Sequence, residues 1–172
     1  MHQLLNDLLT LSRAESGKLQ LAPEIINLPH YCQQLIEEVR FSFETPPAID
    51  LRTSGDCQKI YADPQLLRAM LTNLLSNAVK YSGSQPKVAL SVTCSSSDIT
   101  LQVQDRGIGI PETDQARLYE AFYRGTNVGN IVGTGLGLSV VNACLQLHQG
   151  ILICDSQIAQ GTTFKIILPR VE

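Results

Sequence analysis

Leucines open the chain at helical spacing. Leu4, Leu5, Leu8, Leu9 and Leu11 form a stripe that runs to about Ser16, and Gly17 is a plausible stop. No capping sequence precedes this helix, so it reads as cut rather than begun. A short helix with one apolar stripe is marginal alone and needs partners. Residues 19–27 then read as a strand, with Pro23 at an edge position. An amphipathic helix is expected over 29–43, with Leu35, Ile36, Val39 and Phe43 on its apolar face, before Pro46-Pro47 breaks the chain. Residues 49–52 and 59–61 are short strands. Asp63-Pro64 is an N-cap followed by proline at the first helical position. The helix it starts runs to Tyr81 and buries Leu67, Met70, Leu71, Leu74, Leu75 and Ala78.

Past that helix the period changes from 3.6 to 2. Residues 87–94 and 98–105 alternate apolar and polar around Ser95-Ser96-Ser97, which predicts a hairpin. Residues 106–133 are loop-rich, with one short helix at 115–119. A helix follows over 134–148. Closing strands at 150–155 and 162–168 turn around Ala159-Gln160-Gly161. This order predicts an α+β two-layer sandwich, a mixed β-sheet covered on one face by helices.

Composition narrows the class. The 172 residues suit one core domain with a small appendage. An apolar content of 44% with 17% charged residues argues against disorder. A net charge of -3 gives no support to nucleic-acid binding, so any phosphate ligand must be held by local basic groups and backbone N–H dipoles. Cys32, Cys57, Cys94, Cys144 and Cys154 form no C-x-x-C pair and are expected to be reduced core residues of a cytosolic protein. No apolar run is long enough to span a bilayer, and the start lacks the basic region of a signal peptide. The expected location is cytoplasmic, without membrane contact by this chain.

Four short motifs carry the chemistry. Asn73 and Asn77 are four residues apart and share a helix face, with Lys80 near it. An asparagine carbonyl is a hard oxygen ligand suited to Mg²⁺, yet neutral, so the ion is expected to arrive with a nucleotide whose phosphates fill most of its shell. Lys80 offers a point charge to a phosphate. Asp105 ends a strand and is followed by Gly107 and Gly109. Its carboxylate can accept the amino group of adenine, and the glycines let backbone approach a flat base.

Gly133, Gly135 and Gly137 precede or enter a helix, where free N–H groups and the dipole favour a triphosphate. A dinucleotide fold would place its glycines after the first strand of a βαβ unit, whereas here they follow a long loop. That loop holds Phe122-Tyr123-Arg124-Gly125, and glycines at 125, 129 and 133 suit a lid over a ligand. Arg124 is the only basic residue between Arg117 and Lys165 and a candidate phosphate clamp; Phe122 is expected in the core. Thr162, beside Gly161, fits two roles equally: a hydroxyl that joins Asp105 at the base, or a plain β-branched strand residue.

As an ordered set these motifs resemble the ATP-binding catalytic domain of sensor histidine kinases, within the superfamily shared with gyrase, HSP90 and MutL. Residues 73–82 look like its asparagine box, 105–111 its first glycine box, 122–125 its phenylalanine box, 133–139 its second glycine box, and 161–164 a shorter last box. The resemblance covers about residues 20–170 and implies a Bergerat-type sandwich that binds ATP and Mg²⁺. It implies Asn77 as the Mg²⁺ ligand with Asn73 assisting, and Asp105 with Thr162 on adenine. Lys80 and Arg124 would hold phosphates, and Tyr81 and Ile110 would line the cleft. Gly107, Gly109, Gly133, Gly135, Leu136, Gly137 and Leu138 would complete the nucleotide contacts.

Hydrolytic relatives carry a glutamate where this chain has Asn73, and an amide cannot act as a base. Phosphoryl transfer to a protein is therefore expected, with Asn73 and Lys80 as candidates for assisting it. Residues 1–18 resemble the end of the second helix of a dimerisation and phosphoacceptor domain, and 19–172 the catalytic domain. None of His2, His30 and His148 has the setting of an acceptor histidine. The implied partners are that acceptor domain, a response regulator receiver domain, and a second copy in a homodimer. A weak ATPase of the same superfamily and a nucleotide-sensing interaction module are the alternatives. Some relatives carry a second basic residue in the lid, where this chain has Thr126, Asn127 and Asn130.

Overall fold

Alternation decides which face each strand buries. The computed structural model describes residues 2–171. Strands β2 (Ala48–Gly55), β4 (Lys87–Cys94), β5 (Asp98–Asp105), β6 (Ile151–Gln157) and β7 (Gly161–Pro169) form one mixed sheet, ordered β2-β4-β5-β7-β6. Only β2 and β4 run parallel; every other neighbour is antiparallel. Val88, Leu90 and Val92 point to the same face as Ile99, Leu101 and Val103 and as Phe164, Ile166 and Leu168, and all are buried. The expected α+β sandwich is the one observed.

Three helices cover that face: α2 (Leu28–Phe41), α3 (Pro64–Tyr81) and α5 (Gly137–Leu147). A short antiparallel pair, β1 (Glu24–Ile26) and β3 (Ile60–Ala62), forms a second, two-stranded sheet. Helix α1 (His2–Glu15) packs against α5, and a one-turn helix, α4 (Glu112–Gln115), lies in the long loop.

The N-cap of α3 is as expected. Asp63 accepts from Gln65 N at 2.9 Å and Leu66 N at 3.1 Å. Its other oxygen accepts from Ala22 N at 2.8 Å, so one buried carboxylate satisfies two helical N–H groups and fixes the chain ahead of β1. Replacing Asp63 with alanine orphans all three donors. It is expected to cost about 2 kcal/mol, read as a lower urea midpoint with an unchanged slope.

Several expected boundaries move. The strand over 19–27 shrinks to β1, because its partner β3 has three residues and Ala22 N is already taken by Asp63. Strand β2 is longer than 49–52, since it pairs with β4 from Ala48 to Gly55. The short helix lies at Glu112–Gln115 rather than 115–119, directly after Pro111. Helix α5 begins at Gly137 rather than 134, because Gly135 takes φ +74, outside the helical region. The last turn is 158–160, with Gly161 already in β7.

The cysteine expectation also needs correction. Cys57 and Cys94 are disulfide-bonded, with Cα atoms 5.5 Å apart. The cause is register: Gly55 pairs with Cys94 across β2 and β4, which carries Cys57 to the end of the neighbouring strand. Cys32 and Cys144 are buried thiols pushed up to about 12, and burial raises Cys154 to about 11. These three fit the expected inert, reduced role.

Candidate functional site

A cleft of about 1190 Å³, its solvent mouth included, opens between α3, α5, the ends of β5 and β7, and the segment from Ile108 to Gly135. Two chemically different ends are built by different elements.

One end is set by strand parity. Asp105 falls on the core face of β5 after Ile99, Leu101 and Val103, so its carboxylate is buried at the sheet end. Its Oδ1 accepts from Gly107 N at 2.8 Å and Thr162 N at 3.3 Å. Burial raises the carboxyl pKa, and those two N–H groups oppose the rise. The Thr162 hydroxyl sits 2.7 Å from Ser156 Oγ, which also accepts from Ile110 N at 2.8 Å. Ser156 is a support that sequence patterning does not single out. The loop after Asp105 is pinned from both sides: Ile108 N donates to Tyr81 O at 3.1 Å, and Ile108 O accepts from Ala159 N at 2.9 Å.

The other end is set by helix periodicity. Asn73, Asn77 and Lys80 project from one side of α3 into the cleft. Asn73 Nδ2 donates to Ala69 O at 2.8 Å, which leaves Oδ1 free to face α5. A Cβ added at Gly137 would lie 2.9 Å from Asn73 Oδ1 and 3.6 Å from Asn77 Nδ2, so the start of α5 comes close against both amides of α3. The positive end of the α5 dipole lies here too. Two neutral amide oxygens, a lysine and a helix N-terminus fit a hard cation that brings its own anionic ligands better than a bare ion. Among the described residues, no group of three or more His, Cys, Asp or Glu side chains is placed to hold a metal.

A carboxylate not expected from sequence joins this end. Asp7 of α1 is 5% exposed and lines the cleft. Its Oδ1 accepts from Gln3 Nε2 at 2.9 Å, and Asn73 and Lys80 lie close enough to act on it. Burial raises its pKa, against the pull of those neighbours.

The segment between the two ends forms a wall. Asp114 is buried and accepts from Tyr123 Oη at 2.8 Å, Thr126 N at 2.7 Å and Thr126 Oγ1 at 2.9 Å, and these bonds hold its carboxyl below the usual range. Asn127 Nδ2 donates to Gly109 O at 2.9 Å and ties the wall to the glycine loop. Arg124 lines the cleft near Tyr81, with its guanidinium on Ile131 O. Phe122 corrects the expectation of a core residue: it is 65% exposed. Its backbone takes φ +66 and its N–H bonds Gly135 O at 3.0 Å, which turns the ring outward while Tyr123 faces the cleft.

Of the candidate set, Tyr81, Gly109, Ile110, Gly133, Gly135 and Leu138 also line the cleft. Two do not. Gly107 lies behind the loop, where a Cβ would strike Tyr81 O, and Leu136 is wholly buried beneath α5. Both shape the site from outside it. His2 and His30 are exposed on helices. His148 packs under α3, accepting from Asp63 N at 3.4 Å, which is a structural role.

This geometry has known counterparts. The sequence profile of the Histidine kinase-, DNA gyrase B-, and HSP90-like ATPase family matches residues 62–172, and the chain belongs to that family. It is 37% identical to the circadian input-output histidine kinase CikA of Synechococcus elongatus, over 98% of this chain and 23% of that one. It is 32% identical to the adaptive-response sensory kinase SasA of Rippkaea orientalis, over 98% of this chain and 44% of that one. Full-length ShkA in complex with AMPPNP superposes with a TM-score of 0.83 at 26% identity, covering 98% of this chain and 35% of that one. The mycobacterial sensor histidine kinase MprB gives 0.73 at 25% identity, over 86% of this chain and 98% of that one. The chain thus has the Bergerat fold of a histidine-kinase ATP-binding domain and spans less than half the length of these two curated relatives. Among the described residues, no helix is long and apolar enough to cross a membrane.

Proposed function

We propose that the chain binds Mg-ATP and serves as the kinase part of a two-component sensor, passing the γ-phosphoryl group to a histidine carried elsewhere. The observation that carries this reading is one cleft with a hydrogen-bond-poised carboxylate, Asp105, at one end and the converging Asn73, Asn77 and Gly137 at the other. Asp105 takes the adenine amino group, with Thr162 fixing its orientation. Asn77 offers its carbonyl oxygen to a phosphate-bound Mg²⁺, Asn73 assists, and Lys80 and Arg124 neutralise phosphate charge.

When bound, Mg²⁺ supplies charge neutralisation across the phosphates. The chain orients the γ-phosphoryl group but offers no base to water where Asn73 stands, so transfer to a protein acceptor outpaces hydrolysis. Residues 1–18 are then the end of a dimerisation helix and 19–172 the catalytic domain. The partners are a phosphoacceptor histidine domain, a second copy of the full-length protein, and a receiver domain downstream.

Calorimetry with a non-hydrolysable ATP analogue, with and without Mg²⁺, tests the site. Wild type is expected to bind about tenfold tighter with Mg²⁺, and Asn77→Ala to lose that gain while keeping its Mg²⁺-free affinity. Adding a histidine phosphoacceptor domain in trans with ATP should give an acid-labile phosphoprotein. Binding without transfer would favour an interaction module, and fast phosphate release without transfer an ATPase.

A further inference from the structure

A carboxylate buried in a one-turn helix needs a reason. Asp114 of α4 is 2% exposed, although neither neighbour in the chain is buried. The three bonds it accepts come from two residues: Tyr123 Oη on one oxygen, Thr126 N and Oγ1 on the other. Three donors offset the cost of burying the charge. None of these bonds holds α4 itself, which is fixed by its next residue. Gln115 Nε2 donates to Ile110 O at 3.1 Å and to Ser156 O of β6 at 3.3 Å. Helix α4 is thus tied to the sheet, and Asp114 reaches from it to the segment that follows. Among the described residues, 116–136 contain no helix or strand. Arg124 stands between the two residues that Asp114 holds, and it lines the cleft. Its side chain is exposed, with the guanidinium on Ile131 O.

We propose that Asp114 is a positioning residue for phosphate binding: it holds the backbone on both flanks of Arg124, so that this arginine is presented to the phosphates of a bound nucleotide. The proposal rests on the functional reading above, which gives Arg124 to the phosphates, and adds the group that places it. The physical argument is preorganisation. An arginine on a loop that must order on binding loses affinity to the entropy of fixing the backbone around it. With Tyr123 and Thr126 already bound to one buried carboxylate, that ordering precedes the ligand. Only the arginine side chain has to move, exchanging a backbone carbonyl for phosphate oxygens that it can meet with two parallel N–H bonds. A carboxylate suits the task because it is acceptor-only and takes a backbone N–H and two hydroxyls together.

Three readouts on the whole 172-residue chain test this: AMPPNP affinity by calorimetry with Mg²⁺, adenosine affinity by competition, and amide hydrogen exchange at Thr126. Asp114→Ala is expected to bind AMPPNP about tenfold more weakly and adenosine as wild type does, with exchange at Thr126 about tenfold faster. Arg124→Ala should lose a similar factor for AMPPNP while exchange at Thr126 stays as in wild type. The double variant should lose no more than either single one, because Asp114 acts through Arg124. Asp114→Asn should recover most of the affinity, since its oxygen can accept from Thr126 N while its NH₂ donates to Tyr123 Oη. Thr126→Val removes one of the three bonds at an exposed residue and carries the test if Asp114→Ala does not fold; it is expected to weaken AMPPNP about threefold and leave adenosine unchanged. Additive losses in the double variant overturn the proposal, as does an equal loss of adenosine binding, which would make Asp114 a support of the whole cleft. Failure of wild type to bind AMPPNP sinks the functional reading and the proposal together. Wild-type AMPPNP affinity in Asp114→Ala or in Thr126→Val sinks the proposal alone.

Discussion

Asp105→Asn is expected to weaken binding of a non-hydrolysable ATP analogue about 100-fold in calorimetry, with the fold retained. Three donors converge on this side chain: Gly107 N–H, Thr162 N–H and, on the proposed reading, the adenine amino group. A carboxylate is acceptor-only and serves all three. An asparagine offers one oxygen and one NH₂, so either orientation sets a donor against a donor. The lost charge-assisted bond and the unsatisfied N–H account for a loss of this size.

The same carboxylate gives a pH signature with two opposite signs. Burial raises its pKa above its ordinary 3.8. As pH falls through the raised value the carboxylate takes a proton and stops accepting from the base, so affinity drops. In the empty protein the native state takes that proton before the unfolded chain does, so stability rises over the same window. Asp7 shifts in the same direction, and the difference between wild type and Asp105→Asn isolates the part due to Asp105. Equal affinities for the two proteins at neutral pH would remove Asp105 from the site.

The sequence is readable at this end because the determinants are local. Parity along β5 places Asp105 on the core face, and the glycines that follow free the backbone within four residues of it. Asn73, Asn77 and Lys80 are likewise placed by the helical repeat of α3, whose N-cap and apolar face are written within eighteen residues. What patterning misses depends on contacts between distant segments. Asp7 looks like a polar residue in a leucine-rich helix until α1 docks on α5. Cys57 and Cys94 are 37 residues apart, and only the parallel register of β2 and β4 joins them. Phe122 has the composition of a core residue, yet its backbone is fixed by a bond to Gly135, thirteen positions on.

Gly109→Ala is expected to cost about 3 kcal/mol of stability and to weaken nucleotide binding with it. Gly109 takes φ +71, where a residue with a Cβ is strained by about 1 kcal/mol. Space makes this worse. The added carbon would lie 2.0 Å from Gln157 O and 2.9 Å from Ile158 Cα, both backbone atoms of the β6–β7 turn. That turn cannot give way cheaply, because Ala159 N already donates to Ile108 O and Ser156 Oγ already accepts from Ile110 N. Relieving the clash means breaking one of these bonds and overpacking the turn, worth about another 2 kcal/mol. The loop would then swing off the base end, carrying Asn127 with it through its bond to Gly109 O. For a chain of this length 3 kcal/mol corresponds to a fall in Tm of about 10 °C. Gly129→Ala is the control in the same region: its φ is +52, but nothing lies within 4 Å of the added carbon, so only the backbone strain remains. Equal melting points for the two variants would show that the close approach of the glycine loop to the β6–β7 turn does not hold the site together.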